Sequence, residues 1–318
     1  MIEDRRNVNS LKMDNYTEAC ATEPPNLDLM LIVYVRIPIM TLSTLTMLFT
    51  AISMIVLNRT RHTPKTARFL ASGLLFFDLG TTLTFTVRKL VTNPDINRYL
   101  NIFGVGWSLL AYLNIGVMCV ERLLVFQWPN FYLRSVTFQK VRIVCLCLWL
   151  TFFLAWVLST GRCLFVYCTD ATDQCFNDTI VLFIMVVCPT SVFVSSTCLM
   201  KIATLIKKQQ AKFQNSPSAI KNHKSTFVVF LCFLNYVVTS LIYSIMASTV
   251  KSNFQRRIYM DGLMTINALL DSCVYVLWYK ECRLELVKIL AKAIPSLNSR
   301  IEKMKISIFD IPTASNSA

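Results

Sequence analysis

An ionisable side chain in the middle of an apolar segment costs roughly 2.5–3.5 kcal/mol on membrane-insertion scales, so each one asks for a purpose. Asp78 stands in Leu74-Leu75-Phe76-Phe77-Asp78-Leu79, and Asp271 in Asn267-Ala268-Leu269-Leu270-Asp271-Ser272-Cys273-Val274-Tyr275. Asn267 precedes Asp271 by one helical turn and shares its face. Two carboxylates and an amide turned into one interior would hold a cation or a proton. The plainer alternative is a hydrogen-bonded pair that locks two helices together. Glu121-Arg122 closes a third apolar run, where Arg122 can pair with its neighbour, with another helix or with a partner. Arg88-Lys89 and Arg256-Arg257 flank two further runs, and a guanidinium group suits a carboxylate or a phosphate. The two histidines, His62 and His223, lie in polar stretches with no metal-ligand spacing, so no metal, no cofactor and no enzyme is expected.

The elements that must position these groups are membrane-spanning helices. Of 318 residues, 54% are hydrophobic and only 16% charged, against about 25% charged in an ordinary soluble domain. Mean hydropathy is +0.51. Seven glycines are too few for a turn-rich barrel or sandwich. A crossing helix needs about 20 apolar residues, and seven segments qualify: Leu31–Leu57, Phe69–Val87, Ile102–Phe126, Val141–Leu164, Ile180–Ile206, Thr226–Val250 and Ile258–Trp278. The expected fold is an all-α, seven-helix bundle over residues 31–279. It follows a tail at 1–30 that has no cleavable signal. Residues 280–294 form a short amphipathic helix on the membrane surface, stopped by Pro295, and 295–318 is a second tail. Lys and Arg concentrate in links 59–68, 122–142 and 201–224 and in 280–305, whereas acids favour the other side. The net charge of +14 is therefore positive-inside patterning and not a nucleic-acid footprint. The N-terminus is expected outside at the plasma membrane, with Asn15 and Asn177 as glycosylation acceptors and Asn58 unusable.

In order and spacing these residues resemble the rhodopsin-like G protein-coupled receptors, over about Leu31 to Ile294. The resemblance rests on Thr63-Pro64-Lys65-Thr66-Ala67-Arg68-Phe69-Leu70 followed by Asp78, Glu121-Arg122-Leu123, Trp149, Pro189, Cys232-Phe233-Leu234-Asn235 and Asp271-Ser272-Cys273-Val274-Tyr275. It implies a heterotrimeric G protein as inner partner, membrane lipids around the bundle, and coupling through Glu121, Arg122, Asp271 and Tyr275. It also implies a buried polar site at Asp78, Asn267 and Asp271, and an outer pocket for an extracellular ligand. The alternatives are a channel or transporter using Asp78 and Asp271, or a receptor fold that binds but signals poorly.

Departures from the family pattern narrow the ligand. No lysine lies in the seventh segment for a retinal Schiff base, and the third-helix aspartate of amine receptors falls at Gly104, with Asp261 as a substitute. Arg88 and Arg257 are expected to contact an anionic small molecule, lipid or peptide, unless they pair with Asp95 or Asp261; Tyr112, Phe233 and Tyr236 would form the pocket floor. Gly161-Arg162 and Cys175-Phe176 are similar to stretches of prostanoid receptors, whose seventh-helix arginine falls at Gly262. Asn235 and Ser272 replace the sixth- and seventh-helix prolines, and Thr50 and Thr197 replace an asparagine and a tyrosine. The third-helix cysteine is missing. That leaves Cys20, Cys163, Cys168 and Cys175, which can pair in three ways. A Cys168–Cys175 staple or a tie from Cys20 is favoured.

Overall fold

The computed structural model describes residues 37–60, 63–91, 93–165, 169–210, 217–249, 253–292, 294 and 301. The chain divides into two units, residues 1–41 and 42–318, and of the first only the opening turn of α1 is described. The described residues are almost all helical, joined by short links and without strands. α1 is Ile37–Arg59, α2 Lys65–Leu90, α3 Pro94–Gln127, α4 Pro129–Ser135 and α5 Phe138–Gly161. A 3-10 turn comes next (Arg162–Phe165), then α6 Thr169–Gln210, α7 Pro217–Thr249, α8 Asn253–Trp278 and α9 Lys280–Ala291. Among the described residues, five helices are long and apolar enough to cross a membrane: α1, α2, Ile96–Gln127 of α3, α5, and Asp178–Lys208 of α6. This is the build of a multi-pass membrane protein. Thr226–Ile242 of α7 is a shorter apolar stretch, and Asp261–Leu277 of α8 meets Glu281–Ala291 of α9 across a 96° bend.

Local chemistry explains the helices. Thr81, Thr82, Thr84 and Thr86 of α2 donate their hydroxyls to the carbonyls of Phe77, Asp78, Gly80 and Thr82. Each is thereby satisfied within its own helix, the low-cost way to place a hydroxyl in an apolar setting. Pro129 opens α4, where a missing N–H costs nothing. The Thr137 hydroxyl caps α5 by accepting from the Lys140 amide.

α3 is the hub, packing against α2, α4, α5, α6 and α7. The spanning windows of α2 and α3 are 61% and 67% buried, against 11% for α5, which therefore lies at the periphery. Small residues set the spacing, as expected where apolar lipid supplies no net drive for helices to associate. A Cβ on Gly73 would meet the Trp149 ring at 2.9 Å, one on Gly80 the Trp107 ring at 2.9 Å, and one on Gly106 the Trp156 indole nitrogen at 2.8 Å. Each glycine thus receives a tryptophan from a neighbouring helix. Gly106→Val is expected to cost about 1–3 kcal/mol by overpacking against fully buried Trp156. A lowered Tm of the detergent-solubilised protein would report it, with lipid-facing Phe103→Val as the control.

The cysteine framework differs from the favoured pairing. Cys163 and Cys175 form the disulfide, with Cα atoms 5.6 Å apart, so Cys168 is not the partner of Cys175. The physical reason is that α6 begins at Thr169, well before the expected Ile180, and its first turns bring Cys175 beside the 3-10 turn that carries Cys163. Cys20, Cys168 and Asn15 lie outside the described residues. Asn177 stands on helical backbone, and its acceptor partner Thr179 is buried against Cys163 Sγ at 3.7 Å, so the open-loop setting expected for glycosylation is not found. Non-reduced peptide mapping should recover a Cys163–Cys175 cross-link. Cys163→Ser should lose about 2–4 kcal/mol of stability, the usual range for a closed loop of this size.

Candidate functional site

The polar residues fall into three groups along the bundle. In the middle, Asp78 of α2 and Asp271 of α8 are both buried and lie within interaction range of each other. Tyr236 of α7 donates its phenol to Asp78 Oδ1 at 2.8 Å. Asn235 donates from Nδ2 to Asp271 Oδ1 and to the Asn267 carbonyl, each at 3.1 Å. The Asn267 side chain is turned aside, its Oδ1 accepting from Thr239 at 3.1 Å. It therefore supports α7 and does not complete a three-residue cage. The second carboxylate oxygens, Asp78 Oδ2 and Asp271 Oδ2, are buried without a hydrogen-bond partner among the described residues. Two such oxygens can be satisfied by one shared proton or by one cation, since like charges so close cannot both stand uncompensated.

Two residues singled out in the sequence make hydrogen bonds between helices. Asn235 is the residue that binds Asp271. Ser272 meets Thr50 of α1 at 2.8 Å. Thr197 spends its hydroxyl on the Phe193 carbonyl of its own helix at 2.8 Å.

At the end formed by α4 and α9, Arg122 Nε lies 2.7 Å from Glu121 Oε2, both side chains 5% exposed. Tyr132 of α4 donates to Glu121 Oε1 at 2.6 Å, and Thr66 of α2 reaches the same oxygen at 3.3 Å and Tyr132 at 3.0 Å. Glu121 is therefore held from two other helices while it holds Arg122. Burial, and then the neighbouring Glu121 carboxylate, push the Tyr132 phenol up to about 12. Its ordinary value is near 10. The stabilisation it gives is thus complete below about pH 10 and is lost only as pH rises towards 12. Tyr132 does not stand out in the sequence. Its signal there is Pro129, which opens a helix in the link and so places Tyr132 one turn in. A small cleft of about 10 Å³, room for about one water, adjoins Arg122, lined by Met118, Ala71, Val229, Tyr275 and Tyr279 among others. Tyr275 shares that cleft and reaches Met118 Sδ at 3.8 Å.

At the opposite end, Arg88 takes the alternative of pairing with Asp261 and is not a free guanidinium. Its Nη2 sits 2.7 and 2.8 Å from the two oxygens of Asp261, and its Nη1 donates to Asn101 Oδ1 at 2.6 Å. Asp261 is likewise engaged and is no ready amine anchor. Gly104 does not face a pocket. A Cβ there would stand 2.7 Å from the Phe85 ring, and that ring in turn lies 5.2 Å beneath the Arg88 guanidinium. The glycine makes room for the platform of the ion pair. Tyr112 and Tyr236 pack edge to face at 4.6 Å, with Tyr112 Oη 2.5 Å from Ser240 Oγ, and Phe233 packs against the same core. The Arg257 side chain lies outside the described residues. Among the described residues no cluster suits a metal.

No protein-family model matches the chain, and no curated protein matches it either.

Proposed function

We propose that the chain is a rhodopsin-like G protein-coupled receptor of the plasma membrane, carrying an extracellular signal to a heterotrimeric G protein. In this reading α7 and α8 complete seven crossings, α9 is the amphipathic helix on the inner leaflet, and the N-terminus lies outside. The observation that carries it is the pairing of a buried, chained Arg122 with a cleft at one end of the bundle and a latched acid pair in the middle. A buried cation beside a cleft is held in reserve, able to serve a partner only when the helices part. Such a device needs two arrangements of comparable energy and a ligand that prefers one of them. The basic links at 201–224 and 280–305 complement an acidic partner surface and anionic headgroups.

A library screen with a promiscuous G protein as readout and Arg122→Ala as negative control tests the reading. A response that persists in Arg122→Ala would oppose it. Glycosidase treatment tests the orientation, since a glycan on Asn58 would reverse it. The unpartnered Asp78 and Asp271 oxygens favour a second reading, ion transport. Ligand-independent cation flux in proteoliposomes, lost in Asp78→Asn, would establish that one instead.

A further inference from the structure

At the C-terminal end of α2 two cations face one carboxylate. Asp261 is 5% exposed, Arg88 14% and Lys89 12%. Arg88 takes both Asp261 oxygens, adds Asn101, and rests on the Phe85 ring. Lys89 is left over. Its Nζ stands 3.9 Å from Asp261 Oδ2, beyond hydrogen-bond reach. That nitrogen is buried and has no hydrogen-bond partner among the described residues. An ammonium carries three donors and no acceptor, and leaving them unmet away from water is costly.

We infer that Lys89 anchors an anion subsite, which takes the single carboxylate or phosphate group of an amphiphilic ligand while Asp261 keeps Arg88 in place. Among the described residues one positive charge is left over, which a single anionic group can match. A lysine offers a compact point charge and not the two-pronged fork that arginine brings to planar acids, so a single headgroup oxygen is enough. Phe85, one helical turn before Lys89 on α2 and buried, gives a hydrocarbon body an apolar neighbour. Arg88 acts as a positioning residue: by taking both oxygens of Asp261 it leaves Lys89 a long ion pair at 3.9 Å and no hydrogen bond. The inference deepens the receptor reading and rests on it for its purpose, but binding is measured without any G protein.

The test uses the purified full chain in phosphatidylcholine nanodiscs, titrated by calorimetry with dodecanoate, dodecyl phosphate and dodecanol. Dodecanoate and dodecyl phosphate should bind and dodecanol should not. Lys89→Gln should weaken the anions by about ten- to a hundredfold, the range for a hydrogen bond to a charged group. Lys89→Arg should restore most of that loss, which separates the role from misfolding. Asp261→Asn should tighten binding of the anions, because it removes a competing negative charge; weaker binding in that variant would oppose the anchor. If phosphatidylglycerol nanodiscs weaken dodecanoate in the wild type but not in Lys89→Gln, the anion comes from a lipid headgroup; if they do not, it comes from a free amphiphile. Either result supports the anchor. Equal affinity for dodecanoate in wild type and Lys89→Gln, or equal binding of dodecanol, would overturn it. Loss of G-protein activation with this pattern intact would fault the receptor reading alone.

Discussion

On the receptor reading proposed above, replacing Arg122 by alanine is expected to reduce G-protein activation by about a hundredfold or more while leaving the protein at the cell surface. The magnitude comes from the guanidinium in an opened cleft, where two hydrogen bonds from a charged group are worth about 1.5–3 kcal/mol each. Survival of the fold rests on Glu121. Removing one partner of a buried pair normally strands the other and costs several kcal/mol. Here Glu121 keeps the Tyr132 phenol at 2.6 Å and the Thr66 hydroxyl at 3.3 Å. Arg122→Ala should therefore lower Tm only slightly, whereas Arg122→Ala combined with Tyr132→Phe should lower it markedly. Nucleotide exchange on the G protein and thermal unfolding of the same preparations check both halves.

Asn235→Ala is expected to have the opposite sign, raising ligand-independent activation about tenfold. Its amide ties α7 to α8 through Asp271 and the Asn267 carbonyl. In membrane bundles such bonds average about 0.6 kcal/mol and reach about 1.7. Two of them, made only with α7 held against α8, bias the equilibrium by about 1.4 kcal/mol, a factor of about ten. The Ser272–Thr50 contact joins α8 to α1 and does not involve α7, so Ser272→Ala should leave basal activity near the wild-type level. Basal exchange in membranes matched for receptor abundance distinguishes the two.

Much of the fold was legible because a hydrocarbon interior writes itself into sequence. Long apolar runs placed α1, α2, α3, α5 and α6, and helices also occupy the sixth and seventh expected segments. The buried acids at Asp78 and Asp271 were legible for the same reason, since a charge among leucines and phenylalanines stands out. The hidden features depended on partners distant in sequence. Sequence leaves Arg88 a choice between a ligand, Asp95 and Asp261, and only the fold brings Asp261, 173 residues on, against it. Gly104 was expected at a ligand position, yet its open face is filled by Phe85. The Cys163–Cys175 pairing depended on α6 starting at Thr169, in a polar stretch with no hydropathy signal. Asn235 and Ser272 stood out in the sequence, but only the fold reveals their hydrogen bonds with Asp271 and Thr50.

The most direct test of the receptor reading requires no ligand. Full-length protein reconstituted with a purified heterotrimeric G protein should stimulate nucleotide exchange weakly as wild type, about tenfold more as Asn235→Ala, and not at all as Asn235→Ala with Arg122→Ala. Exchange that rises in Asn235→Ala and stays high in the double variant, or that never exceeds the G protein alone in any of them, would contradict a bundle built to release Arg122 to a partner.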